Sequence, residues 1–352
     1  MIKSIAIKNY RGIKDLEIDN FKKYNFFIGD NGSKKTTILE SLGISLSGLN
    51  FALPLMYAIN RKMKIKKDNL SSLFFNSDIN NSIEFSLETD DIDKVETTIS
   101  MDKTLSIFQE YSSNEINSEL NNYFYSMKKN IDGNNLEDNI YVNKNNQIYS
   151  KNNFIEHIPE KFQLFLERYN SSIQISDNLK NSKGTIEQID KIIKNRKKEK
   201  LLKYLRHINN DITDIYINDE EIFIEKETLK TFIPISSIGD GMVLVLDIIT
   251  SLISTGDFRI ILIDEIEKGI YYKNYRKLSE IIIDLCKNNQ NIQLFITTHS
   301  KEFLEAFNEA LLESEKDNFS LFSLRNKKEK LDVVHYTSEE LKDTLETGWD
   351  PR

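Results

Sequence analysis

The chain has 352 residues, with 55 acidic against 47 basic side chains and a formal charge of −8. That balance excludes a protein coated in nucleic-acid-binding charge and leaves room only for a local basic patch. A single cysteine, Cys286, excludes an intramolecular disulfide framework and a cysteine-rich zinc site; following Ile281-Ile282-Ile283, it suits a buried thiol in a reducing cytoplasm. The opening Met1-Ile2-Lys3-Ser4-Ile5 lacks the apolar run of a signal peptide. No stretch reaches the roughly 18 apolar residues of a spanning helix, so a cytoplasmic protein without a membrane segment is expected. The length suits one large α/β domain with an insertion, or two domains.

Residues 2–8 alternate apolar and polar, and Leu16-Glu17-Ile18 resumes after Arg11-Gly12, which predicts two strands joined by a turn. A third strand, Tyr24–Ile28, enters Gly29-Asp30-Asn31-Gly32-Ser33-Lys34-Lys35-Thr36-Thr37, after which Ile38, Leu39, Leu42 and Ile44 lie at helical spacing. Strand, small polar loop and helix follow in the order that a phosphate cradle requires, with backbone N–H groups and the helix N-terminus favouring the anion. In the pattern G-x-x-x-x-G-K-[ST], Gly29, Lys35 and Thr36 fit, Lys35 for the β/γ-phosphates of ATP and Thr36 for Mg²⁺. Asn31, Gly32, Ser33 and Thr37 complete the loop. Lys34 stands where the second glycine belongs. Two outcomes follow: its side chain points to solvent or adds a phosphate contact, leaving nucleotide binding intact, or it crowds the site and impairs binding and hydrolysis.

A basic cluster, Arg61, Lys62, Lys64, Lys66 and Lys67, precedes renewed alternation at Ile83–Leu87, with further strands predicted at 94–99 and 104–109. Residues 113–153, rich in Asn, Ser, Asp and Lys, suggest a loosely ordered insertion with one helix around 115–128. Pro159 introduces a helix through Phe162, Leu164, Phe165 and Tyr169, and 185–208 continues as a charged helix carrying Lys191, Lys194, Arg196, Lys197, Lys198, Lys200, Lys203 and Arg206. Those charges make either a solvated face or an arm for nucleic acid or a partner. The chain thus divides into 1–112, a variable and mainly helical insertion at 113–212, and 213–352.

Ile215–Ile217 and Ile222–Ile224 predict a hairpin, and the turn Ser236-Ser237-Ile238-Gly239-Asp240-Gly241 leads into an almost wholly apolar helix. Ile260–Ile263 is a continuous apolar run ending in Asp264-Glu265, the signature of a doubly buried parallel strand whose carboxyl end faces a ligand. One carboxylate can hold the Mg²⁺ shell while the other orients a water for attack on the γ-phosphate. A second buried strand, Ile292–Ile296, ends in Thr297-Thr298-His299-Ser300, and His299 alone of four histidines ends a buried strand at this edge, where imidazole can donate to developing phosphate charge. A helix at 302–313, strands near 319–324 and 331–336, and a short helix at 338–346 complete the flank.

Together these motifs resemble the ABC-type ATPases of the RecF, SMC and OLD superfamily, most closely the compact AAA15/AAA21-type branch of bacterial phage-defence systems. Ile7-Lys8-Asn9-Tyr10-Arg11-Gly12-Ile13 is similar to that family's first hairpin, Ser236–Gly241 to its signature loop, Leu262–Gly269 to its Walker B and D-loop, and Thr297–Ser300 to its switch-histidine motif. Thr347-Gly348-Trp349-Asp350-Pro351-Arg352 is like the closing residues of standalone members. The resemblance implies a P-loop ABC head, a mixed α/β sheet flanked by helices plus an antiparallel β subdomain. It also implies Asp264 on the metal, Glu265 as general base, His299 as γ-phosphate sensor and Arg11 at the nucleotide. Ser237, Gly239 and Gly241 would meet nucleotide held by a neighbouring copy, so that ATP bridges two heads. About fifty residues follow His299, too few for an appended nuclease, so a separate effector such as a nuclease or toxin is expected. A DNA-repair or chromosome-associated clamp gripping a duplex, and a nucleotide-binding scaffold without turnover, are the alternatives.

Overall fold

A computed structural model describes residues 1–61, 70–101, 123–142, 148–150, 158–169, 173–175, 183–219, 221–229, 231–253, 259–287, 289, 291–311, 313–327, 330–348 and 350–351. The chain forms two units from interleaved stretches. The first takes Met1–Phe21, Gly32–Ser172 and Asn326–Asp332; the second takes Lys22–Asn31, Ile173–Arg325 and Val333–Arg352. The chain therefore passes from one unit to the other between Asn31 and Gly32, inside the glycine-bearing loop.

Period-2 alternation builds the first unit. Strands, numbered in chain order, are β1 (Ile2–Tyr10), β2 (Ile13–Ile18), β4 (Ile83–Thr89), β5 (Val95–Met101), β6 (Tyr123–Ile131), β7 (Asn134–Val142) and β8 (Ile148–Ser150), in the sheet order β2-β1-β4-β5-β6-β7-β8 with antiparallel pairing. Ile5, Ile7 and Tyr10, Ile83, Phe85 and Leu87, and Val95 and Ile99 are buried on one face. Helix α1 (Lys35–Leu46), buried almost throughout, packs on β1, β4 and β5. Each such aliphatic side chain contributes roughly 1.5–3 kcal/mol by leaving water. Lys129 also points to this inner face; its Nζ donates to the carbonyls of Ile44 and Ser45 at 3.0 Å each and to Ser47 Oγ at 3.2 Å. It caps the carboxyl end of α1, where helix carbonyls lack internal partners.

The helix expected around 115–128 is replaced, over its described part, by strand β6. Tyr125, Met127 and Ile131 recur with period 2 and are buried, Met127 pairs with Ile99, and Asp132-Gly133, both at positive φ, turn the chain into β7. Polar composition concealed a half-buried hairpin. Residues 115–122, the strand expected at 104–109, Lys62–Lys67 of the basic cluster, and Trp349 and Arg352 of the closing residues lie outside the described residues.

In the second unit, β3 (Tyr24–Ile28), β9 (Ile173–Ile175), β13 (Arg259–Ile263), β14 (Ile292–Thr297), β15 (Phe319–Lys327) and β16 (Lys330–Tyr336) form a sheet ordered β16-β15-β3-β14-β13-β9; the β15 and β16 residues between 326 and 332 belong to the first unit. Pairs β15/β3, β3/β14, β14/β13 and β13/β9 are parallel. Burial on both faces explains the apolar run Ile260–Ile263 in β13 and the largely apolar β14, in which Gln293 is buried too. Helices Asp240–Ile253, Tyr275–Lys287 and Lys301–Ala310 supply buried apolar faces to the same core. A separate antiparallel sheet joins β10 (Ile212–Asn218), β11 (Glu221–Lys226) and β12 (Thr231–Pro234). The charged helix expected at 185–208 is two helices, Lys183–Lys194 and Lys198–Ile208, broken at Arg196 with φ +57°. No helix among the described residues is long and apolar enough to cross a membrane.

Candidate functional site

Register sets the carboxyl edge of the second unit's sheet. Thr297 lies opposite Phe27 and Ile296 opposite Ile263, so β3, β14 and β13 end together and release Gly29, Thr298 and Asp264 from one edge. Backbone bonds continue beyond the strands, from Thr298 N–H to Phe27 O at 3.1 Å and from Ile266 N–H to Thr297 O at 3.2 Å. The Thr297 hydroxyl donates to Asp264 Oδ1 at 2.6 Å and accepts from Glu265 N–H at 2.8 Å, so one side chain holds both acids. Glu267 accepts from the Thr298 hydroxyl and from His299 N–H, each at 2.7 Å. Glu265 has φ +53°, a left-handed conformation costing an L-residue roughly 1–2 kcal/mol. Its carboxylate lies 3.3 Å from Lys268 Nζ and 3.9 Å from His299 Nε2.

Asp264, Glu265 and His299 are thus brought together, and Thr297, Thr298 and Glu267 join them. Sequence reasoning gave these last three no role. Their signal was the hydroxyl pair before His299 and a third acid two residues after Glu265, features that specify chemistry only when strand register joins them.

In the first unit, Gly32 at φ +79° and Lys34 at φ +71° wind the loop into α1, with Lys34 as its N-cap. Position 34 therefore keeps the backbone geometry of the glycine that the pattern asks for. The lysine side chain is turned onto the β1–β2 turn: a Cβ added to Gly12 would lie 2.5 Å from Lys34 Nζ and 3.1 Å from its Cδ. Lys35 and Ser33 are buried, with Lys35 Nζ donating to Ser33 Oγ at 3.2 Å. Thr36 is half-buried and Thr37 buried, whereas Gly32 is exposed, its carbonyl accepting from Asn326 Nδ2 at 3.3 Å. Asn31, the last residue of the loop's other part, is exposed.

Arg11 lies against α1. Its Nε is 3.1 Å from the Tyr10 hydroxyl and 3.2 Å from Glu40 Oε2, and its buried Nη2 has no hydrogen-bond partner among the described residues. Arg61 Nε reaches Glu40 Oε1 at 2.8 Å, so one carboxylate bridges two guanidinium groups. Burial raises the Glu40 carboxyl above its usual range against the pull of Arg11 and Arg61, and burial together with Glu40 raises the Tyr10 hydroxyl. Glu40, another residue missed from sequence, was signalled only by an acid inside the apolar helix pattern Ile38-Leu39-Glu40-Ser41-Leu42.

In the signature-like turn of the second unit, Ser236, Ser237 and Gly239 are exposed and Gly241 is buried. A Cβ on Gly241 would lie 2.5 Å from the Gly269 carbonyl carbon and 2.9 Å from Ile270 N. Glycine is needed there because two backbones touch, joining this turn to the one that follows Asp264-Glu265.

Residues 24–305 match the family described as "AAA domain, putative AbiEii toxin, Type IV TA system". The chain belongs to this AAA-domain family. A relative of this AAA chain, the ATP/GTP phosphatase of Helicobacter pylori, is 27% identical over 337 residues, covering 90% of each protein. An uncharacterized protein of Methanocaldococcus jannaschii is 45% identical over 47 residues, 13% of this chain and 22% of that one. Among solved structures, an Smc head bound to the C-terminal winged-helix domain of ScpA is 14% identical with a TM-score of 0.54, covering 97% of this chain and 99% of that one. An Smc head with an extended coiled coil, bound to the C-terminal domain of ScpA from Pyrococcus furiosus, is 11% identical with a TM-score of 0.51 and 98% coverage of each. The AAA chain therefore has the mixed α/β fold of an SMC-type ATPase head, in line with the RecF/SMC resemblance of its motifs.

Proposed function

We propose that this chain is an ATP-hydrolysing head that associates with a second copy through bound ATP and acts as sensor or scaffold for a separate effector, such as a nuclease or toxin, in anti-phage defence. The observation that carries the hydrolytic part is the Thr297 hydroxyl bound to both Asp264 and the Glu265 amide, with His299 beside the Glu265 carboxylate. An acid held at such an edge can orient a water and take its proton, and His299 can donate to charge developing on the γ-phosphate. The loop Asn31–Thr37, with Arg11, is assigned to the nucleotide, Lys35 to its terminal phosphates, and Ser237, Gly239 and Gly241 to nucleotide on the partner copy. The name of the Helicobacter pylori relative and the toxin–antitoxin description of the family support the enzymatic and defence parts of this reading.

Their motifs assign Thr36 and Asp264 to Mg²⁺, and each side chain is by its chemistry a hard oxygen donor of the kind that ion takes, one or two protein ligands usually sufficing beside phosphates and water. When bound, Mg²⁺ neutralises phosphate charge. The head at 1–112 and 213–352, the insertion at 113–212 and a cytoplasmic location belong to the same proposal. Phosphate release from ATP, lost in Glu265→Gln, and a doubling of solution mass on adding ATP with Mg²⁺ are expected; no release at any ATP concentration would refute the enzymatic reading.

A duplex-binding clamp is the second reading, favoured by the exposed Lys191, Lys194, Arg196, Lys197, Lys200 and Lys203. Against it, Lys194 pairs with Asp190 at 2.5 Å, and Arg206 donates to the carbonyls of Ile212 and Thr213 at 3.1 and 2.7 Å. Binding to duplex DNA that weakens steeply with salt would favour the clamp, and absence of binding at low salt would remove it.

A further inference from the structure

The β1–β2 turn is an anchored feature. Tyr10 is fully buried with its ring 5.2 Å from that of Phe85, Arg11 N–H donates to Leu73 O at 2.7 Å, and the Arg11 guanidinium meets Glu40. The phosphate loop at 32–36 winds through two residues at positive φ, Gly32 and Lys34, and Gly32 is exposed. Between turn and loop lies the Lys34 side chain, covering Gly12 at a distance that leaves no room for a Cβ. Lysine in a left-handed conformation costs roughly 1–2 kcal/mol that glycine would not incur, so a compensating contact is expected. The packing over Gly12 is that contact.

We propose that Lys34 is a positioning residue whose aliphatic chain straps the phosphate loop to the anchored β1–β2 turn, with Gly12 as its seat. The substitution at the pattern's second glycine is then a device that holds the cradle ready, because ordering a loop before the ligand arrives removes that ordering cost from binding. The strap works through the methylene chain; phosphate contact by the ammonium is a different mechanism with different consequences. This inference rests on the nucleotide reading of the loop for its functional effect, but its physical part is measurable without nucleotide.

Three variants of the full chain separate the possibilities. Lys34→Gly restores the pattern's glycine yet should weaken ATP binding about fivefold, and should speed amide hydrogen exchange at 32–36 about tenfold. Lys34→Met keeps the methylene chain without its charge and should retain most of the exchange protection at 32–36 that Lys34→Gly loses. Gly12→Ala displaces only the flexible end of Lys34, so it should reproduce the Lys34→Gly loss with little change in Tm, and should add nothing in the Lys34→Gly background. Tighter ATP binding in Lys34→Gly would overturn the strap, as would Lys34→Met behaving like Lys34→Gly, or Gly12→Ala acting equally in both backgrounds. If the parent binds no ATP while the exchange pattern follows expectation, the nucleotide reading fails and the strap stands. If ATP binds and exchange is unchanged in all three variants, the strap fails and the nucleotide reading stands.

Discussion

The two sets of candidate residues are held by different physics. At the carboxyl edge of the parallel sheet, hydroxyls hold half-exposed acids: Thr297 binds Asp264 and the Glu265 amide, and Thr298 binds Glu267. Around α1, a buried carboxylate holds two arginines, Glu40 between Arg11 and Arg61. The first arrangement comes from neighbouring strands in register, so each partner lies next to the other by construction. The second joins residues 10–11, 40 and 61, which meet only after the antiparallel sheet has closed over its helix. Removing one polar contact from the first is expected to alter chemistry, and removing one from the second to threaten folding.

Four measurements test this contrast, beginning with the largest effect. Glu265→Gln should lower phosphate release by about 10²–10⁴-fold, the usual contribution of a general base, with Tm little changed; retained turnover would remove Glu265 from that role. Glu40→Ala should cost about 3 kcal/mol in denaturant unfolding, because it removes the counterion of the largely buried Arg11. A loss below about 1 kcal/mol would show that the arginines do not depend on it.

The next test concerns α1 alone. Burial lowers the Lys129 ammonium to about 7, so between pH 7 and its ordinary value near 10 the unfolded chain holds a proton that the folded chain lacks. Stability should therefore rise with pH across that window, by up to about 1.4 kcal/mol per pH unit from this group, and Lys129→Met should flatten the slope. An unchanged slope in the variant would place the titration elsewhere. The smallest stability effect is expected at the sheet edge, where Thr297→Val removes one hydroxyl at a cost of about 1 kcal/mol while phosphate release falls at least about tenfold. Equal losses in stability and activity would erase the distinction between the two regions.

Much of the parallel sheet was legible because strands buried on both faces are largely apolar, continuously so in Ile260–Ile263 and with the one exception of Gln293 in Ile292–Ile296, and because polar residues at their ends stand out against that background. The β6–β7 hairpin was hidden, since a sheet with one solvated face tolerates Ser126, Lys128 and Asn130 between its inward residues, and composition then resembles a loop. The break at Arg196 was also invisible, because its positive φ depends on the packing of the two helices rather than on any glycine or proline.

By itself, the sequence determined the order of loop, signature turn, acids and histidine, and the strand and helix types around them, because hydrophobic period and turn chemistry are local properties. Only the tertiary structure decided that Thr297 serves both Asp264 and Glu265, that Glu40 gathers Arg11 and Arg61, and that Lys34 lies across Gly12. Those pairings depend on sheet register, on side-chain direction and on which backbone approaches closely, none of which is a property of a short stretch of chain.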